Sequence, residues 1–239
     1  MFPNLQVSLV TDGKFGTFKG PRVERHFREA FAQQNITLHE GQRVHAVEAG
    51  QLILANGNVL PYDLCLWASG FRAVPLAREA GFKVNDKGQI LVDSFGRARS
   101  HPDVYALGDA SHPVEEPGNP MRMSLLTAIT RGAHAADNIT ALLKGKKQSP
   151  LSFAYYGQGI ALGPNDAVGF FGYPDDKPRG PILRGKTAVG VRNFFVAFLL
   201  YFLELERRFP GFFYTVGKGR YAKAKRAQKR QQISEPSLS

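Results

Sequence analysis

Two apolar runs end abruptly on glycine, and together they leave few architectures open. "YDLCLWASG", residues 62–70, and "DVYALGDAS", residues 103–111, each break at small residues after a short apolar stretch. A strand buried on both faces of a parallel sheet reads as a near-continuous apolar run. In an open α/β sheet, ligands bind beyond the carboxyl ends of such strands. Gly108-Asp109 in the second run is therefore a candidate ligand loop. Asp accepts hydrogen bonds from sugar or ribityl hydroxyls, and glycine lets a backbone approach a ligand because it lacks Cβ. Glycine and Asp are also ordinary turn formers, so a plain turn is the competing reading.

The surrounding chain alternates strand and helix. "LQVSLV", residues 5–10, reads as a buried strand. Pro21 opens a helix at its first turn, with Val23, Phe27, Ala30 and Phe31 on one face and Asn35 at its end. "ITLHE" is the next strand, and "QRVHAVEAG" and "QLILANGNVL" follow as a hairpin with turn chemistry at Asn56-Gly57-Asn58. A short helix is predicted at Leu76–Ala80, strands at "QILVD" and "DVYALGD", and a long helix over residues 123–145. Residues 149–188 are rich in Gly and Pro and read as strands and loops, before a helix from Val189 to Phe209 that Pro210-Gly211 stops. The pattern predicts an α/β fold, a partial Rossmann-like nucleotide-binding core followed by a smaller C-terminal α+β segment with a long apolar helix. The expected division is 1–70, 71–148, 149–217 and a basic tail over 218–239.

Charge is unevenly placed. The chain carries a formal +11, but nine basic residues and no acidic one lie between Arg207 and Arg230. The remainder has 22 basic and 20 acidic residues, which argues against a general nucleic-acid-binding surface. The aromatic cluster Phe212, Phe213 and Tyr214 sits apart from the lysines of the tail, so no run of aromatics is interleaved with the charge. Nucleic acid is set aside as a partner. Six Phe or Tyr fall between Phe194 and Phe209, and residues 194–203 are apolar nearly all round. Such a helix is buried, forms a dimer interface, or meets lipid. The 189–230 segment is accordingly a candidate membrane-surface contact, and a homodimer is the other partner left open. Cys65 is the single cysteine, which excludes an internal disulfide or a Cys-x-x-Cys pair and favours a reducing compartment. No signal peptide is legible, and the expected location is cytoplasmic or peripheral on the cytoplasmic face of a membrane. No metal-ligand spacing stands out.

In order and spacing, "GNVLPYDLCLWASGF", "VDSFGRARSHPDVYALGDAS", "GAHAADNI", "GQGIALGPNDAVGFF" and "LELERRFPGFF" resemble the flavoprotein oxidoreductases with two dinucleotide-binding domains. This is the pyridine nucleotide-disulfide oxidoreductase superfamily, with type II NADH dehydrogenases and apoptosis-inducing-factor-like reductases among its members. The resemblance implies FAD and NAD(P)H as cofactors. It implies hydride transfer from NAD(P)H to flavin and on to a small-molecule acceptor. By position, Asp109 holds ribityl or phosphate oxygens of FAD and Gly108 allows the approach. Thr127 and Ala128 start a helix whose positive end faces the flavin ring, though Thr127 also reads as a simple N-cap. Gly70 lies where the nicotinamide passes the flavin, or merely ends a strand. No protein acid or base is required for the hydride step, so no catalytic residue is assigned. His101 and His112 read as loop histidines.

Three departures qualify the resemblance. No Gly-x-Gly-x-x-Gly occurs in these 239 residues, so the phosphate loops for FAD and NAD(P)H are expected upstream of Met1. Thr11, followed by Asp12 and Lys14, occupies the place of the usual ribose-binding acid. "TAITRG" stands where quinone-contacting glutamines occur, which leaves quinone unsupported as acceptor. A non-catalytic remnant acting as a membrane-associated or interaction module is the alternative.

Overall fold

The computed structural model describes residues 5–114, 122–173, 177–209 and Gly219. These divide into two compact units. One takes Met1–Ser69, Gly157–Phe171 and Lys177–Ala197, and the other takes Gly70–Tyr156, Gly172–Asp176 and Phe198–Ser239.

In the first unit, strand β1 (Val7–Val10) lies parallel to β2 (Ile36–His39), with Val7 opposite Ile36 and Val10 opposite His39. Helix α1 (Pro21–Gln33) makes the crossover. Gly20 precedes Pro21 at the first helical position, where the missing N–H costs nothing. The helix buries Val23, Phe27, Ala30 and Phe31, the face that the spacing predicts, together with His26. It ends at Gln34, and Asn35 turns the chain at φ 53°. Strands β3 (Val44–Glu48), β4 (Gln51–Leu54) and β5 (Val59–Pro61) form an antiparallel meander. The turn at Asn56–Asn58 is built as its residues dictate: Gly57 has φ 85° and Asn58 N–H donates to Asn56 Oδ1 at 3.0 Å.

The stretch rich in Gly and Pro forms a second antiparallel sheet, β10 (Gly157–Ala161), β11 (Ala167–Gly172) and β12 (Pro178–Arg184). It shares a core with α1. Val168 and Phe170 pack with Val23 and Phe27, and Phe15, Ile160, Leu162 and Ile182 surround them. His26 Nε2 lies 3.1 Å from Asp166 Oδ1, and that same oxygen accepts the Gly185 N–H at 3.0 Å.

The second unit contains α2 (Leu76–Glu79), β6 (Ile90–Val92), β7 (Arg97–Ala98), β8 (His101–Tyr105), β9 (Ser111–Pro113) and α3 (Leu125–Leu143). The sheet order is β8-β7-β6-β9, with β6 and β9 parallel. Leu151, Phe153 and Tyr155 form a core with Leu126 of α3. Asn138, fully buried on α3, holds the chain that follows: its Nδ2 donates to Ser149 O and its Oδ1 accepts the Ser149 N–H, both at 3.0 Å. Helix α4 (Gly185–Arg208) is long and apolar enough to cross a membrane by length and composition, and Ala188 is its buried residue.

Two sequence expectations are corrected. Residues 5–10 form a strand from Val7 only, and it is not buried: Leu5 and Val7 are exposed. Residues 62–70 form no strand. Leu64 and Leu66 are 79% and 84% exposed, and Trp67 is exposed as well. An apolar run becomes a strand only when another strand completes its hydrogen bonds, and among the described residues none pairs with this one. Strand β8 also stops at Tyr105, four residues before Asp109. The aromatic and basic segment past Phe209, apart from Gly219, lies outside the described residues.

Candidate functional site

The 103–111 run ends in a short 3-10 turn, Gly108–Ala110, that feeds directly into β9. The turn is held from beneath by two buried side chains. Gln89 Nε2 donates to Asp109 O at 2.9 Å and to Ser111 O at 3.3 Å. Arg131 Nη1 donates to Gly108 O at 2.9 Å, to Ser111 O at 2.5 Å and to Ser111 Oγ at 3.0 Å. Ser111 Oγ in turn donates to Gly108 O at 3.0 Å. A guanidinium offers donors in a planar fork, so one side chain satisfies several carbonyls of a tight turn at once. Buried carbonyls left without such donors are costly, which is why a charged residue sits in the otherwise apolar run of α3.

Asp109 faces the start of α3. Its Oδ1 accepts the Ser124 N–H at 2.8 Å. Ser124 is the N-cap, and its Oγ accepts the Thr127 N–H at 3.3 Å. The helix thus begins at Leu125, two residues before Thr127. Thr127 is neither the cap nor the start, and Ala128 follows it within the first turn. The Thr127 hydroxyl is buried against the Tyr155 hydroxyl. Tyr155 also accepts the Arg122 N–H at 3.1 Å, and the Arg122 guanidinium lies 3.9 Å from the centre of its ring. Four of the five residues singled out from sequence, Gly108, Asp109, Thr127 and Ala128, therefore meet at one place.

The reason for glycine at 108 differs from the sequence reading. A Cβ there would lie 3.3 Å from Ala128 Cβ, and φ is 59°. Glycine is needed so that the turn can pack on α3 in a left-handed conformation. Gly70 stands apart in the exposed 62–74 segment with φ 98°, and a Cβ there would meet nothing within 4 Å. Its glycine answers a backbone need alone.

The two histidines near the turn, read from sequence as loop residues, lie in strands: His101 opens β8 and His112 is the middle residue of β9. His101 stacks on Phe82 with ring centres 4.4 Å apart, and its Nδ1 lies 3.0 Å from Ser100 Oγ. Partial burial, then the charges of Arg131 and Lys87, hold His112 below its ordinary pKa. At the ends of β1 and β2 a second polar group forms. Phe15 N–H donates to Glu40 Oε1 at 2.6 Å, and Arg28 bridges Glu40 and Glu24. The Arg28 hydrogen bonds, then that from Phe15, keep the Glu40 carboxyl below its usual range.

Gln89, Ser124, Arg131 and Tyr155 complete the site and were not assigned to it from sequence. Ser124 before the apolar "LLTAI" carried a readable N-cap signal, and Arg131 stood out as a charge directly after the apolar start of the helix. Gln89 and Tyr155 come from distant segments and carried none.

A parallel strand pair crossed by a helix, a Gly-Asp turn against a helix start, and an antiparallel C-terminal sheet are the parts of a dinucleotide-binding flavoprotein fold. The family model described as pyridine nucleotide-disulphide oxidoreductase matches residues 5–133, more than half of the chain. The chain belongs to this family. Among curated relatives, demethylphylloquinone reductase NdbB of Synechocystis is 26% identical over 167 residues, covering 68% of this chain and 41% of that protein. Ferroptosis suppressor protein 1 of Xenopus tropicalis is 24% identical over 163 residues, 63% of this chain and 42% of that protein. Among solved structures, the sulfide:quinone oxidoreductase of Aquifex aeolicus aligns with TM-score 0.58 at 23% identity, over 84% of this chain and 50% of that one. That likeness shows the fold, Rossmann-like with one long apolar C-terminal helix. The chain spans less than half the length of the curated relatives named here.

Proposed function

We propose that this chain forms the flavin-side half of an FAD-dependent NAD(P)H oxidoreductase that passes electrons to a small-molecule acceptor. The observation that carries the reading is the meeting of Asp109 with the N-terminus of α3, where Ser124 N–H donates to Asp109 Oδ1 at 2.8 Å. The donor set suits the ribityl-phosphate side of FAD. A half-buried carboxylate accepts hydroxyl hydrogen bonds, and a 19-residue helix brings its positive end to the same point. Gln89 and Arg131 hold the turn rigid, so the carboxylate is oriented before a ligand arrives. When bound, FAD supplies the hydride-accepting chemistry, and this part of the protein contributes binding, orientation and electrostatics. Gly70 stays a candidate for the nicotinamide side.

No Gly-x-Gly-x-x-Gly occurs in the sequence, and among the described residues no glycine-rich strand-to-helix turn forms a pyrophosphate cradle. The Gly157-Gln158-Gly159 pattern among the described residues lies inside strand β10 rather than at a strand-to-helix turn. Tight retention of either dinucleotide therefore requires a glycine-rich loop from outside these 239 residues.

Two relatives, a demethylphylloquinone reductase and a probable NADH-ubiquinone oxidoreductase of Schizosaccharomyces pombe, favour a quinone as acceptor. The "TAITRG" departure loses its weight against quinone. Thr130 and Arg131 are 3% and 6% exposed and are used inside the fold, Thr130 donating to Leu126 O at 2.8 Å. An acceptor that lives in lipid agrees with α4, whose Phe194, Phe195, Leu200 and Tyr201 are exposed. Membrane contact through α4 is part of the proposal.

The test is flavin retention. The purified chain, alone and with a fragment carrying the glycine-rich loops, is incubated with FAD, desalted and scanned for flavin absorbance. Retention in the combined sample, with bleaching by NADH or NADPH and reoxidation by a quinone, is the expected result. Flavin that washes off both samples, or that no nicotinamide nucleotide bleaches, refutes the proposal.

A further inference from the structure

One phenol reaches both sides of the turn that opens α3. An α-helix leaves its first N–H groups without acceptors inside the helix. In α3 the Ser124 N–H goes to Asp109 Oδ1 at 2.8 Å and the Thr127 N–H to Ser124 Oγ at 3.3 Å. The Tyr155 hydroxyl, 28 residues past Thr127 in the chain, closes on this turn. It lies against Thr127 Oγ1 and 3.3 Å from Ser124 Oγ, and it accepts the Arg122 N–H at 3.1 Å. Ser124 Oγ and Thr127 Oγ1 are themselves 3.0 Å apart. Three hydroxyls with one proton each thus close a triangle, and backbone N–H groups already occupy a lone pair on Ser124 and one on Tyr155.

The ring that carries this hydroxyl is itself held. Tyr155 is 5% exposed, Phe153 meets it edge-on with ring centres 5.2 Å apart, and the Arg122 guanidinium lies 3.9 Å from its centre. The segment before it is fastened too, where the Leu151 N–H donates to Ser94 O at 2.8 Å. A phenol fixed in this way does not follow a shift of the turn. Any movement of the first residues of α3 strands buried hydroxyls, which is costly. We propose that Tyr155 is a positioning residue of the flavin site. Through the Ser124 and Thr127 hydroxyls it fixes the start of α3 against Asp109. It thereby fixes the positive helix end, which favours negatively charged reduced flavin over oxidised flavin. This rests on the functional reading above, in which FAD lies at Asp109 and α3.

The test uses the combined sample of the flavin-retention experiment and reads the flavin midpoint potential. Tyr155→Phe keeps the ring and removes the hydroxyl. It should weaken the hold on reduced flavin about tenfold relative to oxidised flavin, which lowers the potential of this two-electron couple by about 30 mV. Thr127→Val removes the partner hydroxyl and should give the same shift, and the double variant no larger one. Phe153→Leu loosens the same core without touching a hydroxyl, so it should lower Tm and leave the potential in place. In the chain without flavin, Y155F should quicken hydrogen exchange of the Ser124 and Thr127 amides about tenfold or more. An unchanged potential in Y155F or T127V, additive shifts, or unchanged amide exchange overturns the assignment. So does a shift in F153L as large as that in Y155F, which makes Tyr155 a core residue and nothing more. In each of these outcomes the wild-type sample still holds flavin. A wild-type sample that loses its flavin refutes the functional reading instead, and the assignment falls with it.

Discussion

Replacing Gly108 with Ala separates two explanations for the glycine. If its role is to let a ligand approach, the apo protein does not notice the methyl group. If its role is to pack on α3, the apo protein is destabilised. The structure places the added Cβ 3.3 Å from Ala128 Cβ, and φ is 59°. An L-residue in the left-handed region loses about 1–2 kcal/mol. Overpacking at a tight contact adds about 1 kcal/mol, the low end of its range, because a few tenths of an ångström relieve it. The expected loss is about 2–3 kcal/mol, which for a chain of this size lowers Tm by roughly 5–10 °C. Thermal unfolding without flavin, followed by circular dichroism, measures it. A double-mutant cycle with Ala128→Gly isolates the contact. That change alone costs about 1 kcal/mol as a helical glycine, and the pair should lose less than the sum of the two by about 1 kcal/mol. G108A with unchanged apo Tm, or a cycle with no coupling, would refute the packing argument and return the glycine to the ligand.

Other consequences are as direct. Arg131→Leu strips the buried donors from Gly108 O and Ser111 O and should cost about 3 kcal/mol or more, read as a fall in the urea midpoint. Ser124→Ala removes the α3 cap, for about 1 kcal/mol in the same assay. His112 has its pKa lowered on folding, so the unfolded chain binds its proton more readily. Its contribution is complete above the unfolded value near 6.5 and is lost as pH falls through the folded value. His112→Asn should therefore flatten the stability profile on the acid side of about pH 6.5, and an unchanged slope would contradict the assignment. Substituting Phe194 and Phe195 of α4 together with Ser should reduce co-sedimentation with anionic vesicles several-fold without changing Tm, since both are exposed.

Local rules explain why part of this protein is legible in its sequence. Pro21 after Gly20, the apolar spacing of Val23, Phe27, Ala30 and Phe31, and the Asn56–Asn58 turn act within a few residues, and α1 and the meander follow from them. The alternation of strand and helix set the fold class, and "VYALGDAS" marked the turn that lies at the centre of the candidate site. What depends on partners distant in the chain is not legible in this way. "YDLCLWASG" has the composition of a buried strand, yet among the described residues no strand pairs with it, because a strand is a property of two segments and not of one. Gln89 and Tyr155 enter the site only because the fold brings residues 89 and 155 to the turn and to the start of α3. Gly108 is visible in the sequence as a glycine, but only Ala128, twenty positions on, shows what it makes room for. Sequence by itself determined the local elements and the family, because helix spacing, turn chemistry and motif order are written in neighbouring residues. Tertiary structure alone decided which side chains hold the turn and which apolar residues stay in solvent, because burial and hydrogen-bond satisfaction are settled between segments.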